Sequence, residues 1–143
     1  MDVMKSVYHF DHETQFLKIE FLTSSNQSSC HAYVFDENWN DIISTAAAIS
    51  DTMADSIEYV YDSLGIRGRI AVLSDMSVDS LTDSIDVSLF HLQALLFASA
   101  IIVTGDYDDL ESFGFSKEKS NNSGKSLYIL SSEEVGNDAC RFL

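Results

Sequence analysis

Three runs rich in aromatic and β-branched residues, SVYHF, QFLKIEFL and CHAYVF, follow one another near the start of the chain, separated only by the polar stretches DHET and TSSNQSS. Gaps of this length suit hairpin loops and are too short for a crossover, so successive strands must pair antiparallel. The order predicts a meander. In QFLKIEFL, Phe16, Lys18 and Glu20 alternate with Leu17, Ile19 and Phe21, which makes one face apolar and leaves the other partly wet.

The hydrophobic period then changes from two to about 3.6. Ile42, Ala46, Ile49, Met53, Ile57, Val60 and Leu64 recur at steps of three and four and predict one long amphipathic helix from Asn40 or Asp41 to Leu64, capped by an Asx residue and ended by Gly65. RIAVLS, from Arg69, reads as a buried strand. Val78, Leu81, Ile85, Leu89, Leu92 and Leu96 give a second helical periodicity, whose opening turns are rich in helix-disfavouring Ser, Thr and Asp. AIIVTG, from Ala100, reads as a further strand, Asp106 caps a short helix through Phe113, and SLYILS is a last strand after the polar loop KEKSNNSGK. Strand, helix and strand in succession imply a right-handed parallel crossover. The expected fold is α+β with a mixed sheet: an N-terminal antiparallel meander, a long amphipathic helix, then a strand-helix-strand crossover, with helices packed on the sheet. Residues 1–143 are expected to form one globular domain, because that length can bury one sizeable core.

Charge narrows the function. The chain carries 23 Asp and Glu against 8 Lys and Arg, a formal charge of −15. With only 22% of residues charged, the imbalance comes from missing cations more than from surplus acids. No Lys or Arg lies between Lys18 and Arg67, nor between Arg69 and Lys117. Such a field repels nucleic acid and anionic membrane and speeds encounters with basic partners. The uncharged run from Val87 to Val103 is interrupted by His91 and Gln93 and flanked by Asp86 and Asp106, which argues against membrane insertion. The N-terminus has Asp2 where a signal peptide would be basic, and no apolar core follows it. A cytoplasmic protein with reduced Cys30 and Cys140 is expected, without excluding a long-range disulfide.

Within this acidic chain two rows stand out. Asp51, Asp55, Glu58 and Asp62 fall at steps of four, three and four, opposite the apolar side of the predicted helix, with a carboxylate roughly every 5.5 Å of axis. Asp75, Asp79, Asp83 and Asp86 repeat the spacing at four, four and three. A DNA strand carries a phosphate about every 3.4 Å, so one row is too dilute to imitate it, whereas two helical rows side by side approach that density. The competing reading is ordinary solvation of a helix face. Neither row contains the interspersed cations that commonly neutralise one.

Other constellations carry less. Asp75 and Asp106 follow two predicted parallel strands, with Asp108, Asp109 and Glu111 just beyond, a place where α/β enzymes hold Mg²⁺ for phosphoryl transfer. No Lys or Arg lies nearby to clamp a phosphate. His9, His12, Cys30 and His31 invite a zinc site, but neighbours on a strand point to opposite faces, so Cys30 and His31 do not both join one. GKS at Gly124 to Ser126 lacks the earlier glycine of a phosphate loop, because that position is Lys119. Trp39 reads as a staple at the helix entry or as a partner anchor. Lys117, Lys119 and Lys125 form a basic patch in a polar loop.

The leading expectation is a non-enzymatic acidic protein, without catalytic residues, metal or cofactor, that neutralises a basic partner such as a nuclease, toxin or nucleic-acid-handling protein in the manner of an immunity protein or nucleic-acid mimic. Asp51, Asp55, Glu58 and Asp62 carry the contact, supported by Asp75, Asp79, Asp83 and Asp86; neither nucleic acid nor membrane is bound directly. The alternatives are a Mg²⁺-dependent phosphoryl-transfer or hydrolytic enzyme using Asp75, Asp106 and Asp108, and a dimeric acidic chaperone or scaffold with an apolar homodimer interface.

Overall fold

A computed structural model of the protein describes residues 5–22, 28–39, 41–74, 91–105, 110–118 and 126–131. They form a mixed sheet of seven strands and two α-helices. The strands are β1 (Lys5–Asp11), β2 (Phe16–Leu22), β3 (Ser28–Asp36), β4 (Arg69–Ser74), β5 (Ala100–Thr104), β6 (Ser116–Glu118) and β7 (Leu127–Ser131). Their order across the sheet is β1-β2-β3-β4-β5-β7-β6.

The meander expected of the first third is present. β1 pairs antiparallel with β2, and β2 with β3. The first hairpin is set by Asp11, whose Oδ1 accepts from the N–H groups of Glu13 and Thr14 at 2.9 and 3.0 Å. These backbone donors, Thr14 first, hold the Asp11 carboxyl below its ordinary pKa. β3 then pairs antiparallel with β4. β4 and β5 run parallel, which requires a crossover; its residues 75–90 lie outside the described ones. They include Val78, Leu81, Ile85 and Leu89 of the second periodicity. Further along, His91–Leu95 form a π-helical turn, and Leu92 is fully buried.

The single long helix expected from the 3.6 period is instead two, α1 (Ile42–Ile49) and α2 (Asp51–Ser63). Ser50 makes the break. Its backbone is extended, at φ −162° and ψ 130°, yet its N–H still donates to the Ala46 carbonyl at 2.9 Å and closes α1. Its hydroxyl accepts from the Met53 N–H at 3.3 Å and opens α2. One serine thus ends one helix and caps the next, a role its short acceptor side chain suits. At the other end of α1 the cap is Asp41, whose Oδ1 accepts from Ile43 N–H and Ser44 N–H. α2 ends as expected on Gly65, which takes the left-handed φ of +67°.

The sheet is covered on both faces. Ile42, Ala46, Met53, Ile57 and Val60 of the helices pack with Phe35, Ile70, Val72, Ile102 and Ile129 on one face. On the other, Ile19, Phe21, Val34, Leu73, Ile101 and Val103 pack with Leu92, Leu110 and Phe115. The apolar period thus survives the kink, because both helices keep their apolar sides on the same sheet face. Each fully buried large side chain contributes roughly 1.5–3 kcal/mol. That outweighs the cost of about 0.2–0.5 kcal/mol for each pair of like charges on the wet side.

The polar loop expected to start at Lys117 begins later. Ser116–Glu118 form β6, an edge strand antiparallel to β7. Lys117 is therefore a strand residue paired with Tyr128, while Lys119 and Lys125 lie outside the described residues.

Candidate docking face

All four acids of the first row lie on α2 and are exposed. With the other described residues, the side chains of Asp51, Asp55, Glu58 and Asp62 make no hydrogen bond or ion pair. They span about 16 Å of helix axis, at a rise of 1.5 Å per residue. Their local electrostatics are not uniform. Asp51 occupies the first turn, where the positive end of the helix dipole favours a carboxylate; Asp62 occupies the last turn, where the negative end opposes it and no basic residue compensates. Asp51 with Asp55, Asp55 with Glu58, and Glu58 with Asp62 are like-charge neighbours on the helix surface. From Asp55 onward, then, the row costs stability.

The nearest arginines in sequence are engaged elsewhere. Arg67 lies 3.9 Å from the Glu37 carboxylate and over the Tyr61 ring. Arg69 donates to Asp36 at 3.1 Å and to the Leu96 carbonyl at 2.7 Å, and lies over the Trp39 ring. Trp39 is thus no staple for the α1 entry: it packs with the core on the opposite face and stacks edge-on against Phe10. The Tyr61 hydroxyl donates to the Gly68 carbonyl at 3.1 Å. Burial, with the nearby Glu37 charge in support, pushes the Tyr61 phenol up to about 12.

Beside the acidic helix lies a groove of about 210 Å³, lined by Leu64, Ile66, Ser116, Glu118 and Ile129 among others. Tyr59 spans from α2 to the edge strand, its hydroxyl donating to Glu118 Oε2 at 3.2 Å. Burial first, and then Glu118, raises the Tyr59 phenol above its ordinary pKa. Sequence reasoning missed this groove and Glu118. A three-residue strand has no periodicity to read, and the weak signal available was that Ser116 and Glu118 alternate opposite the apolar SLYILS run.

Several candidates stand apart from this face. Asp75, Asp79, Asp83 and Asp86 of the second row lie outside the described residues, as do Asp106 and Asp108 of the phosphoryl-transfer reading. Glu111 is exposed in a 3₁₀ turn, Leu110–Phe113. Cys30 is buried in the core, and His31 Nε2 lies 3.8 Å from Glu20 Oε2. Among the described residues no three His, Cys, Asp or Glu side chains are grouped to hold a metal ion, and no helix is long and apolar enough to cross a membrane. Compared with known proteins, the chain matches no family model and no curated protein.

Proposed function

We propose that this is a non-enzymatic binding protein of the cytoplasm that docks the acidic face of α2 on a basic cleft and so neutralises a nuclease, toxin or other nucleic-acid-handling protein. One observation carries the reading: four exposed carboxylates on α2 without a counter-cation among the described residues. A helix that only needed solvation would gain stability from a Lys or Arg three or four residues from each acid. It would gain again from a cation in its last turn, where this helix has Asp62. Retaining an unfavourable charge arrangement is what a surface selected for an external cation does. Such a face attracts its partner over a distance and binds in a salt-dependent way.

The test is capture of basic proteins by the immobilised chain at low salt, followed by a salt step. Bound material is expected to leave by about 0.5 M salt, where the screening length falls to only a few ångströms. It is also expected to be lost in the combined variant Asp55→Asn, Glu58→Gln, Asp62→Asn. Retention by that variant would defeat the reading.

A further inference from the structure

We infer that the groove between the C-terminal end of α2 and the edge strand β6 receives one cationic side chain, arginine or lysine, from a basic protein partner. This rests on the reading of α2 as the docking face and adds the point at which the partner inserts a residue.

The groove follows from the sheet order. Ser116 pairs with Ile129 and Glu118 with Leu127, and residues paired across strands share a face. Ile129 and Leu127 belong to the core on the helix side, so Ser116 and Glu118 face that side too. β6 is the last strand of the sheet, and Leu64 and Ile66 at the end of α2 form the wall facing it. The Tyr59 hydroxyl bond to Glu118 ties the middle of α2 to the same strand.

The lining selects the occupant. Leu64, partly exposed, and the edges of the buried Ile66 and Ile129 offer a small apolar surface to the methylene stem of a long side chain, while Glu118 offers a carboxylate to its head. Lys and Arg are the side chains that combine such a stem with a positive head. The volume is ample, since a cavity of about 150 Å³ holds benzene. An acidic side chain would meet both Glu118 and the field of α2. A neutral apolar one would desolvate Glu118 without compensation. Glu118 accepts from Tyr59 through Oε2, and a carboxylate has lone pairs on both oxygens for a second donor.

The probes are capped pentapeptides with a central arginine, lysine, norleucine or glutamate between glycines, titrated into the full chain while backbone amide shifts are followed by NMR. The arginine and lysine peptides are expected to shift the amides of Ile66, Ser116, Glu118 and Ile129. The norleucine and glutamate peptides should bind about three- to tenfold more weakly, the difference one charge-assisted contact at a partly exposed site makes. Glu118→Gln should weaken the arginine peptide by a similar factor. Ser116→Trp, at an exposed position of the edge strand, should block it by filling the groove, and thermal unfolding of both variants checks that the fold is kept. Equal binding of the glutamate peptide, indifference to Glu118→Gln, or no shift with any peptide would overturn the inference. The α2 reading fails separately, when capture of basic proteins survives the triple α2 variant while the arginine peptide still shifts the groove. The groove assignment fails alone when that capture is lost but the peptide leaves the groove unmoved.

Discussion

Arg69 Nε donates to Asp36 Oδ2 across 3.1 Å, and the Asp36 side chain is only 8% exposed. Asp36 closes β3 and Arg69 opens β4, and the two residues are register partners. The pair thus fixes where the meander meets the parallel part of the sheet. The same guanidinium reaches the Leu96 carbonyl at 2.7 Å, so it also holds the end of the crossover against β4.

Replacing Arg69 should therefore cost more than loss of an exposed ion pair would. Arg69→Met leaves the Asp36 carboxylate buried without its cation, a change worth about 3–5 kcal/mol for a fully buried pair and roughly 2–3 here, because the arginine side chain is partly exposed. The urea midpoint should fall with little change in slope. Adding Asp36→Asn should recover part of the loss, since the double variant no longer buries an unpaired charge.

Within the α2 row, neutralisation should change sign along the helix. Asp62→Asn relieves repulsion from the helix C-terminus and from Glu58, and should stabilise by about 0.5–1 kcal/mol. Asp51→Asn removes a charge that the N-terminal end favours, partly offset by relief from Asp55, and should be neutral or destabilising by up to about 0.5 kcal/mol. Thermal unfolding at low and high salt separates the two, because both effects shrink as salt screens them.

Tyr61 predicts an alkaline limit to stability. Its phenol is protonated in both folded and unfolded chains well below pH 10. Above the ordinary phenol value near 10 the unfolded chain loses the proton first, while the folded one retains it until about pH 12. Stability should consequently fall as pH rises between about 10 and 12. A full two-unit shift would be worth about 2.7 kcal/mol, and solvent screening of this half-buried group reduces the expected fall to about 1 kcal/mol. In Tyr61→Phe that part of the slope should be absent from denaturant titrations across the window.

Phe97 holds a left-handed backbone at φ 56° and is 76% exposed. Flanking hydrogen bonds fix the conformation: Arg69 Nη1 to Leu96 O on one side, and Ala98 N–H to Leu92 O on the other. Left-handed geometry costs a bulky residue about 1–2 kcal/mol, and asparagine tolerates it better. Since little of the ring is buried, Phe97→Asn should raise stability by about 0.5–1 kcal/mol in chemical denaturation.

How far the sequence could be read depended on how many residues repeat a pattern. The meander and the strands from Arg69 and Ala100 were legible because alternation or an unbroken apolar run persists over five or more residues. The division of the long helix at Ser50 was not. The apolar period passes straight through it, and the only local sign was a serine followed by an acid, a common helix start. The exposure of the α2 acids is legible for the same reason as the helix itself: 100° per residue fixes both faces at once.

What the chain determined by itself was therefore local and periodic: which of the longer segments are strands, which side of α2 is apolar, and that its four carboxylates point to water. Tertiary structure decided what joins segments distant in sequence. It set the order that leaves β6 at the edge, brought Glu118 within reach of Tyr59, and spent both central arginines on Glu37 and Asp36 instead of on α2. The physical reason is that periodicity records how a residue meets its own element. Strand neighbours across a sheet are chosen by packing among elements whose separation along the chain carries no such signal.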